Sequence, residues 1–432
     1  MQSMTFQQPP PEANPRQALR LLSINPDDYP SCQKFWGDSF INMPEDVPFL
    51  NASVLEELAG YFGMSTELLS SLKTLAAKVN AIPALKVYAW HLYYRLVMPS
   101  VSTGCSHSGF NDWPLPTAVL GDEAEALPVL SAIGVILDAR EKYRKDKYSE
   151  NIIKDTLGVF FSGFETSFRE LGHPRFFFTA YSWLRLYLTA RLVEIGRFNY
   201  KLSDVNPFGV ALRNKRDGRK LLLTRAGLKY NRRGFVLQEN DPWADGGWEA
   251  VLNETEDAFI GTPIHPAGYA LNTTVTCPKT EWDVIAQQGD ILMDMHIPAG
   301  GGMTLEKALD SFRRTDAFFS ERYPNKFRRV FICHSWIFNT QFDERLPQSN
   351  VAKLMRQCYL FPAPSTGKDG MFFLFGEKLD DLSALPRDTS YRRLMLECLE
   401  SGEHLRLGGM LLFAEDLDHF GTDFYRRSFK ID

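Results

Sequence analysis

Residues 289–314 read GDILMDMHIPAGGGMTLEKALDSFRR, and this stretch decides which fold to expect. Between Ile291 and Ile297, apolar side chains recur at every second position, which is the period of a β-strand. Three glycines follow at positions 300–302, and Thr304 then stands where a helix N-cap is expected, ahead of apolar residues on one helical face. The stretch therefore predicts a strand that passes through glycines into a helix.

A strand–glycine–helix turn is a favourable place for an anion. The first N–H groups of a helix have no partner within the helix, and glycine lets a phosphate approach the backbone closely. The turn lacks the Gly-Lys-Ser/Thr of a phosphate loop and the G-x-G-x-x-G spacing of a dinucleotide fold. We expect a phosphate-bearing ligand around Gly300, and a flexible turn without a ligand is the alternative interpretation.

Two histidines stand at the ends of neighbouring predicted strands. A strand at 329–334 follows a predicted helix at 305–323, so strand, helix and strand form a βαβ unit. Parallel strands end at the same edge of a sheet, which places His334 and Ser335 opposite His296. Alternation puts Asp294 on the same face as His296, within roughly 7 Å. We interpret His296 as a general base influenced by Asp294, and a structural histidine is the alternative.

Away from this stretch, the pattern divides the chain into two parts. Residues 1–147 are predicted to form a helical domain, with a loop at 100–116, and residues 148–432 a second domain. The second domain is expected to open with helices at 152–171 and 176–195 and to continue with short strands. These include strands at 198–202, 208–212, 220–223, 234–238, 371–375 and 409–413. The expected fold class is α+β.

Composition excludes several classes of protein. The 432 residues carry 48 basic and 53 acidic side chains, a net charge of −5, which gives no field for binding nucleic acid. The six cysteines form no C-x-x-C pair, and Cys105 with His107 offers only two ligands, so no metal site is predicted. Arg185 and Arg191 interrupt the most apolar stretch, and no signal peptide opens the sequence. We expect a cytoplasmic protein without a membrane span.

The sequence resembles a bacterial acyltransferase family in which a GNAT-like domain follows a helical N-terminal domain. The resemblance covers nearly the whole chain, and the helical part matches more loosely. The matching segments are residues 294–300 (DMHIPAG), 305–314 (LEKALDSFRR), 330–336 (VFICHSW), 385–389 (LPRDT) and 419–422 (HFGT). The resemblance implies a GNAT-like mixed β-sheet with flanking helices in residues 148–432.

The resemblance also implies the ligand and the reaction. The family's loop Gln/Arg-x-x-Gly-x-Gly/Ala falls on residues 297–302, with Ile297 at the first position and glycines at the other two. It implies acyl-CoA as co-substrate, held by Met295, Ile297, Ala299, Gly300, Gly301, Gly302, Met303 and Thr304. From their places at the strand ends, we expect His296, Asp294 and His334 to serve catalysis, and Ser335 and Trp336 to contact the substrate. The implied reaction is acyl transfer to an amine without a covalent intermediate.

Two other functions are consistent with the same residues. A non-catalytic GNAT-like module could bind a CoA or nucleotide metabolite, because the loop departs from the family's pattern at Ile297. A hydrolase would use Ser335 with His334 or His296 and would form a covalent intermediate, although no G-x-S-x-G elbow surrounds Ser335. Substitution of His296 separates the enzyme from the binding module.

Overall fold

The computed structural model describes residues 10–97, 110, 113–204, 208–376 and 381–431. The chain divides by compactness into two units, Met1–Val193 and Glu194–Asp432. The sequence places a boundary near residue 147 instead. The helix Glu150–Leu171 explains the difference, because Phe161 stacks on Phe62 with ring centroids 4.3 Å apart and the Glu165 carboxylate accepts a hydrogen bond from the Ser65 amide. These contacts tie the helix to the first unit.

The first unit is built from α-helices and short 3₁₀ turns in its described part. The side chains of Asn51 and Ser65 cap two of the helices. The predicted loop at 100–116, with Cys105 and His107, lies mostly outside the described residues. The α-helices are Pro15–Leu21, Trp36–Ile41, Ala52–Phe62, Thr66–Ala81, Pro83–Val97, Thr117–Leu120, Leu127–Lys145, Glu150–Leu171 and Tyr181–Leu188.

The second unit combines strands with flanking helices. Its strands are β1 (Val193–Ile195, which begins at the boundary), β2 (Phe198–Ser203), β3 (Gly209–Asn214), β4 (Lys220–Thr224), β5 (Lys229–Tyr230), β6 (Trp248–Glu249), β7 (Leu252–Glu254), β8 (Ala258–Gly261), β9 (Pro263–His265), β10 (Tyr269–Ala270), β11 (Val275–Pro278), β12 (Trp282–Ala286), β13 (Leu292–His296), β14 (Val330–Ser335), β15 (Tyr359–Ala363) and β16 (Leu407–Phe413). Its α-helices are Leu305–Arg322, Thr340–Arg345, Asn350–Arg356, Met371–Phe375, Ser390–Glu400 and Phe424–Ser428.

A mixed six-stranded sheet forms the centre of the second unit. Its strand order is β1-β2-β13-β14-β16-β15. Strands β13 and β14 are parallel and are joined through the helix Leu305–Arg322, so the predicted βαβ unit is confirmed. Strand β13 pairs antiparallel with β2, and β16 pairs antiparallel with both β14 and β15. The predicted α+β class, a helical region followed by a mixed sheet with flanking helices, is confirmed.

The helix Leu305–Arg322 is fastened to one face of this sheet by aromatic packing and hydroxyl bonds. Phe312 is fully buried and contacts Phe331 of β14 with ring centroids 4.9 Å apart. Tyr200 of β2 lies 2.8 Å from the Ser311 hydroxyl, which in turn donates to the Ile195 carbonyl oxygen at 2.5 Å. Both hydroxyls are buried with partners, so the contact also fixes the position of the helix along its axis.

Two predicted strands are wrong. Residues Met371–Phe375 form a short helix, because Gly370 turns the chain at φ +93° and Arg392 bonds the Leu374 carbonyl oxygen at the helix end. Residues 234–238 contribute only the single bridge Tyr230↔Val236. Strand β15, Tyr359–Ala363, is absent from the sequence-based prediction.

The cysteines of the described part are buried and unbridged. Cys32, Cys277, Cys333, Cys358 and Cys398 are free, and Cys105 lies outside the described residues. Burial raises the pKa of Cys277 and Cys398 to about 11 and that of Cys358 to about 12. No helix in the described ranges is both long enough and apolar enough to cross a membrane.

The tight contact between β15 and β16 yields a stability prediction. A Cβ placed on Gly409 would lie 2.0 Å from the buried Phe361 ring, so Gly409→Ala is expected to lower the free energy of unfolding by about 2–3 kcal/mol. Urea unfolding followed by circular dichroism measures this change. Gly158→Ala, in an open position on the helix Glu150–Leu171, is the control and should not destabilise the protein. Equal stability of wild type and Gly409→Ala would contradict the packing described.

Candidate functional site

Strands β13 and β14 separate at their carboxyl ends. They pair with each other only at Met293↔Phe331 and Asp294↔Ile332. On their outer sides, β13 remains paired with β2 as far as His296↔Asn199, and β14 remains paired with β16 as far as Ser335↔Gly408. The result is an opening in the middle of the sheet, which we call the strand gap, between residues 295–297 and 333–335.

Polar side chains line one face of the sheet beside the strand gap. Paired residues in neighbouring strands share a face, so Asp294 and His296 lie on the face of Lys201, Asn199 and Ile332. His334 lies on the same face, two residues beyond Ile332. The opposite face carries Met293 and Met295, which are fully buried. The alternation of side chains along the strands thus separates a polar face of the sheet from the apolar face that packs on the helix Leu305–Arg322.

The Asp294 carboxylate contacts two basic side chains. Its Oδ2 atom lies 3.3 Å from His296 Nε2 and 3.3 Å from Lys201 Nζ. The Asp294 side chain is 13% exposed and the His296 side chain is 29% exposed, although the His296 Nε2 atom itself is buried. This geometry lets Asp294 orient the imidazole, and it places the Lys201 ammonium against the same carboxylate oxygen.

His334 stands on the other side of the strand gap. Desolvation lowers the pKa of His334, and the carboxylates of Asp369 and Asp294 oppose this shift more weakly. The ring is therefore neutral at neutral pH and can donate or accept a hydrogen bond. Ser335 uses its hydroxyl to accept a hydrogen bond from the Ile337 amide at 3.3 Å, and Trp336 begins the short turn that follows.

The three glycines after β13 adopt the left-handed backbone conformation. Gly300, Gly301 and Gly302 have φ values of +77°, +72° and +64°. A residue with a Cβ is strained in this region, so consecutive glycines are required for this path. The predicted glycine turn is therefore a specific conformation of residues 298–304, which we call the glycine loop.

Two basic side chains occupy the carbonyl side of the glycine loop. The Arg197 guanidinium donates to the carbonyl oxygens of Pro298 at 3.0 Å, Gly300 at 2.7 Å and Gly302 at 2.5 Å. Lys307 Nζ donates to the Gly301 carbonyl oxygen at 3.0 Å. Partial burial lowers the pKa of Arg197, although the group stays protonated because its ordinary pKa is above 12. Arg197 thus holds the glycine loop through three hydrogen bonds.

The amide side of the glycine loop stays available. Within the described residues, no backbone N–H of Gly300, Gly301, Gly302 or Met303 donates a hydrogen bond to the protein. Thr304 caps the eighteen-residue helix Leu305–Arg322, whose first amides add to this array. Exposed donors, an oriented helix dipole and absent Cβ atoms together suit an anion such as a phosphate.

Sequence reasoning missed three participants: Arg197, Lys201 and Asp369. Arg197 lies 105 positions before Gly302, and no local pattern links the two. Lys201 could have been paired with Asp294 only if the antiparallel partner of β13 were known. The described residues contain no group of three His, Cys, Asp or Glu side chains that could hold a metal ion.

Comparison with known proteins relates this geometry to one family and several solved structures. A family model described as the GNAT-like C-terminal domain matches residues 192–411. An acyltransferase solved with decanoyl-CoA and teicoplanin is 16% identical, with a TM-score of 0.57 over 92% of this chain and 99% of that chain. An acyltransferase solved with CoA and 10C-teicoplanin is 15% identical, with a TM-score of 0.56 over 93% and 99%. At these identities the likeness shows a shared fold. No curated protein matches the sequence significantly.

The three-point contact of Arg197 yields a second stability prediction. Arg197→Met keeps an unbranched side chain but removes the hydrogen bonds to three carbonyl oxygens, so the free energy of unfolding should fall by about 2 kcal/mol. Lys307→Met is the matched control: it removes a single exposed bond and should change stability by less than about 0.5 kcal/mol. Urea titrations of the two variants give the comparison. Equal losses would show that Arg197 does not hold the loop.

Proposed function

The chain belongs to the GNAT-like C-terminal domain family, and from this premise we propose that it is an acyltransferase that uses acyl-CoA as co-substrate. The resemblance inferred from residues 294–300 and 330–336 is confirmed at the level of this domain. We propose that the acyl group passes directly from the CoA thioester to an amine acceptor, without a covalent enzyme intermediate. The amine and the direct mechanism are the parts of the proposal that experiment must decide.

The glycine loop is the observation that carries the proposal. The pyrophosphate of CoA carries negative charge and several acceptor oxygens, which match free amides from Ala299 to Thr304. Because Arg197 and Lys307 hold the carbonyl oxygens of the loop on the other side, the amides are already oriented before the ligand arrives. Such preorganisation reduces the entropy cost of binding.

The strand gap supplies a place for the rest of the co-substrate. Beyond Asp294↔Ile332, where the pairing of β13 with β14 ends, backbone groups of Met295 and Ile297 would bond the pantetheine amides and the thioester carbonyl. The gap begins next to the glycine loop along the chain. A ligand whose pyrophosphate occupies the loop can therefore extend its arm between the two strands.

The chemistry requires a base, an oriented thioester and stabilisation of the developing oxyanion. The acceptor nitrogen attacks the thioester carbonyl carbon, and His296 takes the proton that the nitrogen loses. The tetrahedral oxyanion is stabilised by backbone amides at the end of β13. The carbon–sulfur bond then breaks, and CoA leaves as a thiolate that takes its proton from the His296 imidazolium. Asp294 stabilises the imidazolium formed on His296 through the 3.3 Å contact.

The remaining predicted residues have supporting roles. Neutral His334 lies opposite His296, where it can hydrogen-bond the acceptor or the leaving sulfur. Ser335 already accepts a hydrogen bond as a helix cap, which favours substrate contact over the role of a nucleophile. Trp336 forms the wall beyond it. The structures with the same fold contain CoA or acyl-CoA and, in two cases, a teicoplanin compound, which supports a CoA thioester and a small-molecule acceptor.

The location and partners of the protein stay predictions from composition. The net charge of −5 favours neither nucleic acid nor an anionic membrane surface as a partner. A cytoplasmic location is proposed because acyl-CoA is a cytoplasmic metabolite.

Calorimetric titration with CoA and acetyl-CoA tests the ligand assignment. We expect saturable binding by the wild type and its loss in Gly301→Glu, because the added carboxylate repels the pyrophosphate beside the free amides. Gly289→Glu is the control for backbone strain, since Gly289 also has positive φ (+88°) but lies before β13; a Cβ there meets open space, whereas a Cβ on Gly301 would lie 3.4 Å from the Arg197 side chain. If wild type binds neither ligand, or if both variants bind as it does, the glycine loop is not a CoA site.

Replacement of His296 tests the chemistry. His296→Gln is expected to lower turnover at least about 100-fold, the usual contribution of a general base, while CoA affinity stays within a factor of about three. Release of free CoA in the presence of a panel of amines measures turnover. Asn199→Ala, at the position paired with His296 on β2, is a control for local disturbance. Unchanged turnover in His296→Gln would exclude the base, and CoA binding without turnover by wild type would favour the non-catalytic module.

A further inference from the structure

Two large aromatic side chains stand in solvent next to the strand gap. Phe372 is 59% exposed and Phe373 is 70% exposed. Phe373 stacks on Trp336 with an interplanar angle of 15° and ring centroids 5.9 Å apart, and Phe372 meets Phe373 edge to face. We call these three side chains the aromatic ledge. Contiguous exposed aromatics usually mark a binding surface, since leaving them in water forgoes the free energy of burial.

The ledge is held in place from both ends of the short helix Met371–Phe375. At the start, Asp369 accepts from the Thr366 amide at 2.8 Å, and Gly370 places its backbone against the Trp336 ring. Met371 is buried beneath. At the end, the Arg392 guanidinium donates twice to the Leu374 carbonyl oxygen, at 3.0 and 2.6 Å. Exposure of the two phenylalanines is therefore a fixed feature of this helix.

The ledge continues directly from the proposed site. Trp336 follows Ser335, the last residue of β14, so the Cα atom that carries the first ring lies about 3.8 Å from the Cα atom at the strand end. The Asp369 carboxylate, one helix turn before Phe373, is close enough to influence the pKa of His334. A group that leaves the strand gap past His334 and Ser335 meets the ledge next.

We propose that the aromatic ledge binds the hydrocarbon chain of the transferred acyl group, so that the protein selects acyl-CoA with medium or long chains over acetyl-CoA. This inference rests on the proposed function, since it takes the thioester to lie in the strand gap. The acyl chain is covalently joined to the thioester carbonyl and must lie within reach of it. The three rings offer it apolar surface without charge, whereas an amine acceptor would be better matched by the carboxylates of Asp294 and Asp369.

The size of the expected effect follows from the area that a chain can bury. A fully buried methylene strengthens binding about four-fold. Octanoyl-CoA is longer than acetyl-CoA by six carbons, and an open surface covers only part of them. Burial equivalent to about two methylenes predicts that octanoyl-CoA binds about 15-fold more tightly than acetyl-CoA.

Calorimetry on the full chain with CoA, acetyl-CoA and octanoyl-CoA tests the inference. Phe373→Ser and Phe372→Ser should each reduce the preference for octanoyl-CoA to about three-fold or less and leave the affinity for CoA unchanged. Phe177→Ser, which alters another exposed phenylalanine (49%) in the first unit, is the matched control and should keep the full preference. Circular dichroism confirms that the variants are folded.

The outcomes separate this inference from the proposed function. Equal affinity for acetyl-CoA and octanoyl-CoA, with CoA still bound, would overturn the ledge assignment and leave the CoA site intact. A preference for octanoyl-CoA that survives both substitutions would also overturn it. Self-association of wild type that Phe373→Ser abolishes, without any change in chain-length preference, would assign the ledge to a second copy of the chain instead. Failure to bind CoA at all would remove the proposed function itself.

Discussion

The seating of the helix Leu305–Arg322 on the central sheet is the interaction on which the proposed site depends. Phe312 packs on Phe331, and hydrogen bonds link Tyr200 through Ser311 to the Ile195 carbonyl oxygen, which sets the position of the helix along its axis. That position fixes where the first helical amides lie relative to the end of β13. It also requires a short connection, which only a run of left-handed glycines completes.

Charged side chains lie in two places near this connection. On the carbonyl side of the glycine loop, Arg197 and Lys307 satisfy oxygens that would otherwise repel an anionic ligand. On the polar face of the sheet, Asp294 sits between Lys201 and His296. The same strand, β13, therefore positions both the anion-binding amides and the candidate base. A substitution that shifts β13 along β2 would disturb ligand binding and proton transfer together.

Much of this arrangement could be predicted from the sequence, and the rest could not for physical reasons. Strand alternation from Ile291 to Ile297 and the cap at Thr304 are local signals, and local signals predict strands and helix starts well. The run Met371–Phe375 is apolar throughout, and five such residues fit a buried strand or a short helix equally. The chain forms a helix here because of Gly370 and Arg392, whose guanidinium bonds the carbonyl oxygen of Leu374, eighteen positions earlier. Arg197 was missed for the same reason: its partners are distant in sequence.

The burial of the cysteines has a practical consequence for following the reaction. Thiol reagents attack the thiolate, and a thiol whose pKa is raised to about 11 is deprotonated to about one part in ten thousand at neutral pH. While the protein is folded, a chromogenic disulfide should therefore not react with the cysteines at positions 32, 277, 333, 358 and 398. With Cys105, which lies outside the described residues, replaced by serine, colour that develops on a fast time scale would come from released CoA, and a slow later rise would report unfolding. The same reagent can thus measure the release of CoA and, in the same experiment, the unfolding of the protein.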